Sequence, residues 1–390
     1  MYGLTGDIPR RKRIRAGMIG GGKGSFFASY HRAAMRISDR YQIVAGAFSS
    51  DPELCREAGE AFEIEPKRSY ISYRDLIAHE AARDDRIDVA IVVTPNHLHF
   101  EPCRLLLEAG IPVICDKPLV NQIDEARELL KIAQKNDTFF GMTYTYTGYP
   151  MVRDARARIQ AGELGEIRFM YIEYLLEWLA EGPAKVGAKG GAWRQDPQKA
   201  GPTGALGDIG THAFNMLEFL SGKRCTSLNA KLSSRVPGWV LDDTAVVQLE
   251  FDGGAEGLLW ASLAAPGHRN ALSFKIVGTK ASLEWKQETP DTIWLGRLGQ
   301  ADMIYHRGQR DMTPEGMESV SLPAGNPEAY LEALAYLYVG FAQALEAGPN
   351  WRKANVSPIA DLKEGFRGVA LSHASLQSDQ KRTWVSFPSI

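Results

Sequence analysis

The sequence predicts an α/β domain built on a doubly wound parallel sheet, followed by an α+β domain with a large, mostly antiparallel open sheet. The first third of the chain alternates short apolar runs with longer amphipathic stretches, the pattern of parallel strands joined by helices. After about Pro150, strand-like segments follow one another with only turns between them, which indicates antiparallel pairing. A chain of 390 residues is also too long for one ordinary core, so two domains are expected.

The first domain is predicted to span residues 1–150, with a basic arm at 1–13. Its short apolar runs predict strands at Ile14–Gly20, Ile43–Phe48, Val89–Val93, Ile111–Cys115 and Phe139–Met142. The amphipathic stretches between them predict helices that include Pro52–Ala61, Tyr73–Ala81, Phe100–Ala109 and Ile123–Lys135. Because ligands of open parallel sheets bind beyond the carboxyl ends of the strands, site residues are expected in the loops that follow these strands.

The second domain is predicted to span residues 151–390. Helical patterns occur at Val152–Gln160, Leu206–Leu220, Pro327–Ala347 and Pro358–Leu376. Aromatic and β-branched residues predict strands that include Ile167–Leu176, Ala245–Phe251, Gly257–Ala264, Ala271–Val277 and Ala281–Trp285. An open antiparallel sheet carries helices on one face and needs a cover on the other. We therefore expect a homo-oligomer, a dimer or a tetramer, that pairs through this sheet.

Composition and charge exclude several classes of protein. Hydrophobic residues make up 44% of the chain and charged residues 24%, values of a folded globular protein rather than a disordered or fibrous one. The formal net charge of −2 provides no general attraction to nucleic acid or to anionic lipid, so neither partner is expected. The four cysteines are scattered without a C-x-x-C pair, which favours reduced thiols over a disulfide framework or a zinc site.

Membrane and export signals are weak in this sequence. No apolar run approaches the roughly 18 residues of a transmembrane helix. A basic cluster between Arg10 and Arg15 is similar to the start of an export signal, but glycines interrupt the apolar stretch that should follow it. A solvated basic arm is the favoured interpretation, and together with the cysteine pattern it predicts a cytoplasmic protein.

A glycine-rich turn between the first strand and the first helix is the most informative local motif. Gly20 and Gly22 fill the first two positions of G-x-G-x-x-G, and Ser25 stands in place of the third glycine. The first glycine permits the tight turn, the second lets a dinucleotide approach the backbone, and the third position lets the helix pack close to the strand. The pyrophosphate then lies at the helix N-terminus, where backbone N–H groups and the dipole favour an anion.

Two polar segments directly follow later strands, and their residues are assigned to the cofactor site. They are TPNHLH, with Thr94, Pro95, Asn96 and His99, and CDKP, with Asp116 and Lys117. Lys117 has a competing interpretation as an ordinary surface lysine, the commonest fate of that residue type. Its position at a strand end favours function, because a cation there can stabilise negative charge on a substrate oxygen as hydride leaves the carbon.

A third motif, GDIGTH, opens a helix in the second domain. Asp208 and His212 are four residues apart and would share a helix face, on which Asn215 continues the same stripe. A polar surface with an incidental histidine is the competing interpretation. An imidazole titrates near neutral pH, so His212 can exchange a proton with a substrate hydroxyl. A metal site that joins these residues to His97 and His99 is disfavoured because the segments are far apart in the chain, and no metal is expected.

The end of the second strand bears on the choice between NAD and NADP. A carboxylate at that strand tip would hydrogen-bond the adenosine ribose and select NAD. The sequence has Ser49 and Ser50 there, and Asp51 suits a helix N-cap better than a ribose ligand. The two serines can accommodate a 2′-phosphate, with Arg56 or Lys23 as its cationic partner. We therefore predict NAD(P) with a slight preference for NADP.

At these motifs the chain resembles the Gfo/Idh/MocA oxidoreductases, named after glucose–fructose oxidoreductase and inositol dehydrogenase. The glycine turn, TPNHLH, a DKP variant of the family's E-K-P and the D-x-x-x-H helix occur in the family's order, together with WRQDP and a late DDTAVVQLEFDGG. The resemblance covers about residues 14 to 350. It implies a Rossmann domain, a nicotinamide cofactor, and dimers or tetramers.

The resemblance also implies roles for individual residues. Lys117 would polarise the substrate oxygen, and the peptide before Pro118 would be a candidate for the cis form. His212 would be the acid/base, with Asp208 orienting it or binding a substrate hydroxyl. Many relatives carry Asp where this chain has Asn215, which places the family's polyol contacts in question.

Aromatic residues form the last group of candidates. Tyr144, Tyr146 and Tyr149 either pack the junction between the domains or form an aromatic wall against the apolar face of a sugar. The family's pair that matches Trp193 and Arg194 approaches substrate or cofactor, so Tyr144 and Trp193 are assigned to substrate and Arg194 to cofactor.

The predicted function is an NAD(P)-dependent oxidoreductase that interconverts a hydroxyl and a carbonyl on a sugar, inositol or related polyol. Two alternatives are an NAD-dependent glycoside hydrolase that acts by transient oxidation and a non-catalytic dinucleotide-binding sensor. A sensor needs neither Lys117 nor His212, which argues against it. Substrate identity depends on loops such as Trp178–Gly191 and Asp291–Pro323, whose conformations the sequence does not reveal.

Overall fold

The computed structural model describes residues 12–183, 192–354 and 356–390. Their strands, in chain order, are β1 (Ile14–Ile19), β2 (Tyr41–Ala47), β3 (Val89–Val92), β4 (Val113–Cys115), β5 (Phe140–Met142), β6 (Ile167–Leu175), β7 (Cys225–Ser233), β8 (Thr244–Phe251), β9 (Glu256–Ser262), β10 (Ala271–Gly278), β11 (Ala281–Lys286), β12 (Thr292–Arg297), β13 (Met303–His306), β14 (Ala360–Asp361) and β15 (Val385–Ser386).

The α-helices of the same residues alternate with strands in the first part of the chain and cluster at its end. They are α1 (Phe26–Ser38), α2 (Pro52–Ala61), α3 (Tyr73–Ala81), α4 (Phe100–Glu108), α5 (Ile123–Asn136), α6 (Pro150–Gln160), α7 (Pro197–Ala200), α8 (Thr211–Ser221), α9 (Pro314–Glu318), α10 (Tyr330–Ala347) and α11 (Leu362–Lys381). A π-helical turn, Leu206–Gly210, leads directly into α8.

The chain forms two compact units. One, the parallel-sheet unit, contains the described residues up to Tyr144 together with Leu334–Phe366. The other, the antiparallel-sheet unit, contains Thr145–Ala333 and Arg367–Ile390. The sequence-based division near residue 150 did not foresee the return of Leu334–Phe366, which occurs because apolar residues of α10 such as Tyr338 and Phe341 join the core of the parallel sheet.

Among the described residues, the parallel-sheet unit has six strands in the order β14-β5-β4-β3-β1-β2. β1 to β5 run parallel, and β14 adds an antiparallel edge to β5. The strand order changes direction where β1 meets β3, and such a switch point opens a crevice beyond the strand carboxyl ends. The predicted parallel sheet is confirmed, and the glycine turn and TPNHLH follow the two strands that flank this point.

The antiparallel-sheet unit has nine strands among its described residues, in the order β13-β12-β11-β10-β6-β9-β8-β7-β15. Among these described strands, only the β6–β9 pair is parallel, so the prediction of a mostly antiparallel sheet is confirmed. α8 packs against β6 and β9 and carries the predicted His212. The region 291–323, which we expected to be a loop, contains β12, β13 and α9.

Three features considered in the sequence are membrane-spanning helices, the basic arm and the Trp178–Gly191 loop. Within the described residues, no helix combines the length and apolar character needed to cross a bilayer. Most of the basic arm and residues 184–191 of the Trp178–Gly191 loop lie outside the described residues.

Candidate active site

The glycine turn fits its predicted place at the end of β1. Gly20 has a φ of +87°, a left-handed conformation that a side chain would strain. A Cβ at Gly22 would lie 2.7 Å from the carbonyl oxygen of Phe48, so the second glycine is required by the neighbouring strand end. A Cβ at Gly21 would lie 2.9 Å from the Cβ of Ala28. Close packing of α1 on the sheet therefore depends on Gly21 rather than on the position that Ser25 occupies.

The N-terminus of α1 differs from those of the next two helices. Ser25 is its N-cap residue, yet its side chain makes no capping hydrogen bond, and the first turn holds no acidic residue. α2 is capped by Asp51 and carries Glu53 in its first turn, and α3 is capped by Ser72. The arrangement at α1 suits an anion supplied by a ligand, because the Ser25 side chain does not cap the helix and no carboxylate lies in its first turn.

The end of β2 confirms the predicted cap. The Asp51 carboxylate accepts hydrogen bonds from the backbone N–H groups of Glu53 at 2.9 Å and Leu54 at 3.0 Å. The two predicted partners of a 2′-phosphate are exposed and already paired. They are Lys23, 3.2 Å from Glu57, and Arg56, 2.6 Å from Glu60.

The TPNHLH segment is braced by its last histidine. His99 is 1% exposed, and its Nε2 and Nδ1 lie 2.8 Å from the carbonyl oxygens of Thr94 and Pro118 respectively. Both ring nitrogens are engaged by the protein's own backbone. This geometry favours a bracing role over the predicted cofactor contact, whereas Asn96 begins an exposed turn of 3₁₀-helix.

Asp116 and Lys117 follow β4 at the carboxyl edge of the sheet. The Lys117–Pro118 peptide is cis. The Asp116 carboxylate accepts hydrogen bonds from the Lys117 backbone N–H at 2.9 Å and from the Thr143 hydroxyl at 2.7 Å. Burial raises the pKa of Asp116, but the nearby His31, the Lys117 charge and the Thr143 hydrogen bond outweigh it and hold that pKa below its ordinary range.

A second group of site residues lies in the antiparallel-sheet unit, on the π-turn and the first turn of α8. His212 is 7% exposed, and Asp208 precedes it on the wider turn. The Arg194 Nε lies 3.6 Å from an Asp208 carboxylate oxygen, and its guanidinium carbon lies 4.4 Å from the centre of the Trp193 ring. The structure therefore brings Trp193 and Arg194 beside Asp208, which the sequence analysis singled out on a separate segment.

Phenol rings enclose His212. The Tyr146 ring meets the imidazole edge to face, with 5.0 Å between centroids, and the Tyr174 ring lies 6.4 Å away. The Tyr146 and Tyr174 hydroxyls hydrogen-bond each other, and the Tyr174 hydroxyl donates to Asn270 Oδ1 at 2.7 Å. Burial raises the pKa of both phenols, so they remain protonated hydrogen-bond donors at neutral pH.

The π-turn is held by a buried carboxylate. Asp242 accepts hydrogen bonds from the backbone N–H groups of Gly204 at 2.5 Å and Leu206 at 2.9 Å. Burial raises the pKa of Asp242 to about 6, against the opposing effect of these two hydrogen bonds. Asp242 thus fixes the start of the turn that carries Asp208.

Other candidates occupy less expected places. Tyr144, assigned to substrate, lies in the parallel-sheet unit and is 1% exposed. Asn215 is buried on α8, and its Oδ1 has no hydrogen-bond partner among the described residues. Asn270 carries no signal in the sequence as a site residue. Asp242 begins the family-like segment DDTAVVQLEFDGG, but its partners, Gly204 and Leu206, are distant in the chain, so its role was not predicted. No group of three or more potential metal ligands exists in the described part of the chain.

The chain is similar to known proteins along nearly its whole length. Residues 14–144 match the family model described as "Oxidoreductase family, NAD-binding Rossmann fold", and residues 152–284 match the "GFO/IDH/MocA C-terminal domain". The uncharacterised oxidoreductase YfiI of Bacillus subtilis is 31% identical over 98% of this chain and 99% of its own length.

Two further relatives carry more specific names. A crystal structure of an inositol dehydrogenase homolog from Azotobacter vinelandii, complexed with NADH and myo-inositol, is 34% identical, with a TM-score of 0.89 over 96% of this chain and 98% of that one. Levoglucosan dehydrogenase from Pseudarthrobacter phenanthrenivorans is 27% identical over 97% of this chain and 99% of its own. The NADH complex gives no support to the predicted preference for NADP.

Matches to both family domains, in the order that the sequence motifs indicated, establish the relationship. The chain belongs to the Gfo/Idh/MocA family of oxidoreductases and carries that family's NAD-binding Rossmann fold.

Proposed function

We propose that this oxidoreductase interconverts a hydroxyl and a carbonyl on a sugar, inositol or related polyol, with NAD(H) as the hydride carrier. The observation that carries the proposal is the enclosure of His212, on α8, by Tyr146 and Tyr174, with Asp208 on the π-turn that leads into the same helix. Phenol donors, a carboxylate and an imidazole suit a substrate with several hydroxyl groups. The myo-inositol bound by the Azotobacter homolog and the name of the levoglucosan dehydrogenase point to the same substrate class.

Lys117 is proposed to stabilise the reacting oxygen. It follows β4 at the carboxyl edge of the parallel sheet, and its backbone is tied to the ionised carboxylate of Asp116. As hydride leaves the carbon of an alcohol, negative charge accumulates on the oxygen, and an ammonium group there lowers the barrier.

His212 is proposed to move the proton of the reacting hydroxyl. A buried imidazole among neutral phenols can accept that proton during oxidation and return it during reduction. Asp208, beside the Arg194 guanidinium, would orient the imidazole or bind a neighbouring substrate hydroxyl.

The nicotinamide nucleotide supplies the hydride acceptor or donor when it is bound. The residues that would hold it are the glycine turn from Gly20 to Gly24, the first turn of α1, and the segments at Asn96 and Asp116. We propose NAD(H) rather than NADP(H), since Lys23 and Arg56 are each paired with a glutamate.

The test of this assignment is Lys117→Met. Loss of the cation removes stabilisation of the developing oxyanion, so turnover should fall on the order of 100- to 1,000-fold or more, while NADH binding persists. Activity would be followed by nicotinamide absorbance with a panel of inositols, hexoses, pentoses and their keto forms.

The matched control is Lys131→Met, which removes an exposed lysine from α5. It should leave both turnover and nucleotide affinity unchanged. Near-normal turnover by the Lys117→Met protein would refute the role of Lys117.

A further inference from the structure

Two buried histidines contact the short segment Asp116–Pro118 at its two ends. His31, on α1, faces the Asp116 carboxylate, and His99 faces the Pro118 carbonyl. Both rings are almost completely buried, and all of these residues belong to the parallel-sheet unit. Because both polar rings are buried, each needs a structural or functional explanation.

His99 forms a bridge between two loops. The oxygens at 2.8 Å from its two ring nitrogens are both backbone carbonyls, which can only accept hydrogen bonds. The ring thereby joins the loop after β3, at Thr94, to the loop after β4, at Pro118.

His31 connects α10 to the segment. Its Nδ1 lies 2.8 Å from the Tyr338 hydroxyl, and its Nε2 lies 3.8 Å from Asp116 Oδ2. The second distance is longer than a hydrogen bond, so this contact is electrostatic. Tyr338 is itself fixed, because its carbonyl oxygen accepts a hydrogen bond from the Tyr41 hydroxyl at 2.8 Å.

We propose that His31 and His99 are positioning residues for Lys117: His31, oriented by Tyr338, holds the Asp116 carboxylate, and His99 holds the Pro118 carbonyl. The lysine between them is thereby fixed relative to the sheet edge. This inference rests on the proposed role of Lys117 in hydride transfer. Neither histidine is required to touch substrate or cofactor.

The surroundings of Asp116 explain why the carboxylate needs support. It faces His31 from α1, Tyr338 from α10, Thr143 after β5, and Cys115 and Lys117 from its own segment. Burial opposes its ionisation, and His31 and Lys117 are the groups whose charge favours it. Without His31, the pKa of Asp116 would rise, because only the Lys117 charge and the Thr143 hydrogen bond would then oppose the effect of burial.

The first experiment measures the pH profile of kcat/KM for His31→Gln. Glutamine can still hydrogen-bond Tyr338 but carries no charge, so the pKa of Asp116 should rise and the acidic limb of the profile should lie at a higher pH than in the wild type. KM for NADH should change little. A purely structural role would lower activity or stability without moving the limb, and an unmoved limb would overturn the proposal for His31.

A second pair of variants removes only a hydroxyl from α10. Tyr338→Phe should shift the limb in the same direction, because His31 loses its orienting partner. The matched control, Tyr336→Phe, removes a buried hydroxyl that contacts Ser357 at 3.1 Å and should leave the profile unchanged. Equal profiles for the two variants would contradict the assignment.

His99→Gln tests the other side of the segment. One amide cannot donate to both carbonyl oxygens in the same geometry as the imidazole, so kcat should fall by at least about tenfold with NADH affinity retained. The exposed His79→Gln is the control for the substitution itself. An unchanged kcat would remove His99 from the proposal.

A final measurement does not depend on turnover. Unfolding of the wild type, His31→Gln, Asp116→Asn and the double variant forms a thermodynamic cycle. The effect of His31→Gln on stability should shrink once Asp116 is neutral. Absence of coupling would overturn the inference even with an active enzyme, whereas coupling in a protein that oxidises no polyol would refute only the proposed function.

Discussion

Asp51 illustrates how one residue's place in the backbone limits what it can bind. Its carboxylate accepts two N–H groups at the start of α2, an arrangement that stabilises a helix by about 1 kcal/mol. Moving that carboxylate toward a ribose would break both hydrogen bonds. The adenosine end of the site is therefore left with Ser49 and Ser50 and with a helix whose exposed face carries Glu57 and Glu60.

Nucleotide preference follows from these residues. Because Lys23 and Arg56 are each paired with a glutamate, a 2′-phosphate would meet acidic as well as basic groups. We expect NADH to bind at least as tightly as NADPH in calorimetric titrations at the same ionic strength. Binding of NADPH more than about tenfold tighter, a difference of roughly 1.4 kcal/mol, would reverse this conclusion.

At the scale of elements, the π-turn before α8 decides where the second group of site residues lies. A five-residue turn is wider than an α-helical one, and such turns occur frequently at functional sites. A Cβ at Gly210 would lie 2.7 Å from a terminal methyl of Leu206, a contact that the glycine avoids. Asp242 then accepts hydrogen bonds from the N–H of Leu206, the first residue of the turn, and from that of Gly204 just before it.

The stability of this turn should depend on pH through Asp242. Its folded-state pKa of about 6 is raised above the ordinary value, so the folded protein binds the proton more tightly than the unfolded chain does. The resulting stabilisation is complete below the ordinary pKa of an aspartate and is lost as pH rises through about 6.

The check is urea unfolding of the wild type and Asp242→Asn at two pH values. The wild type should lose about 2 kcal/mol relative to the variant between about pH 4.5 and about pH 7. Other carboxylates titrate in both proteins and cancel in the difference. A difference that is constant or that grows with pH would mean that Asp242 is not the responsible group.

Element boundaries show where sequence patterns mislead. Ile111 was predicted to begin the fourth strand, but its N–H bonds the Leu106 carbonyl at 2.9 Å and closes the end of α4 after Gly110 in a left-handed conformation. An apolar residue suits both a strand and a helix cap, so local pattern alone could not separate them. β12 and β13 lie in the region that the sequence analysis treated as a loop, and each is paired with a neighbouring strand of the sheet.

At the scale of the whole molecule, the antiparallel sheet leaves one face with apolar side chains in contact with solvent. On this face Phe169, Val246, Trp260 and Val277 lie on adjacent strands, and Trp260 is 36% exposed. A patch of this kind on a sheet commonly marks a protein interface. It supports the expectation of a homo-oligomer.

Trp260→Glu tests this expectation. A buried charge at a symmetric interface is repeated in every copy and is costly to desolvate, so the variant should have the mass of a single chain in light scattering. Val240→Glu is the matched control, because Val240 is more exposed but lies on a loop outside the strands. Unchanged assembly of the Trp260→Glu protein would place the interface elsewhere.

Candidate site residues that lie close together in the chain were predictable where a sequence motif also indicates the backbone structure around them, such as a tight turn or a strand end. The glycine turn and Asp116–Lys117 belong to this class, because strand ends place them from local sequence alone. For the Asp208–His212 pair the sequence predicted one α-helix, whereas Asp208 lies on the π-turn before α8. Whether Lys117 and His212 carry the chemistry stays a prediction. The bracing role of His99 was missed because both of its partners are backbone carbonyls, which leave no mark in the sequence.

The sequence by itself determined the fold class, the family and the segments that carry the site, since apolar periodicity and glycine turns are local properties of the chain. Tertiary structure decided the return of Leu334–Phe366 to the parallel sheet, the enclosure of His212 by Tyr146 and Tyr174, and the histidines on either side of Asp116–Pro118. These features join residues far apart in the chain. Their contacts depend on packing and burial, which only the folded molecule brings about.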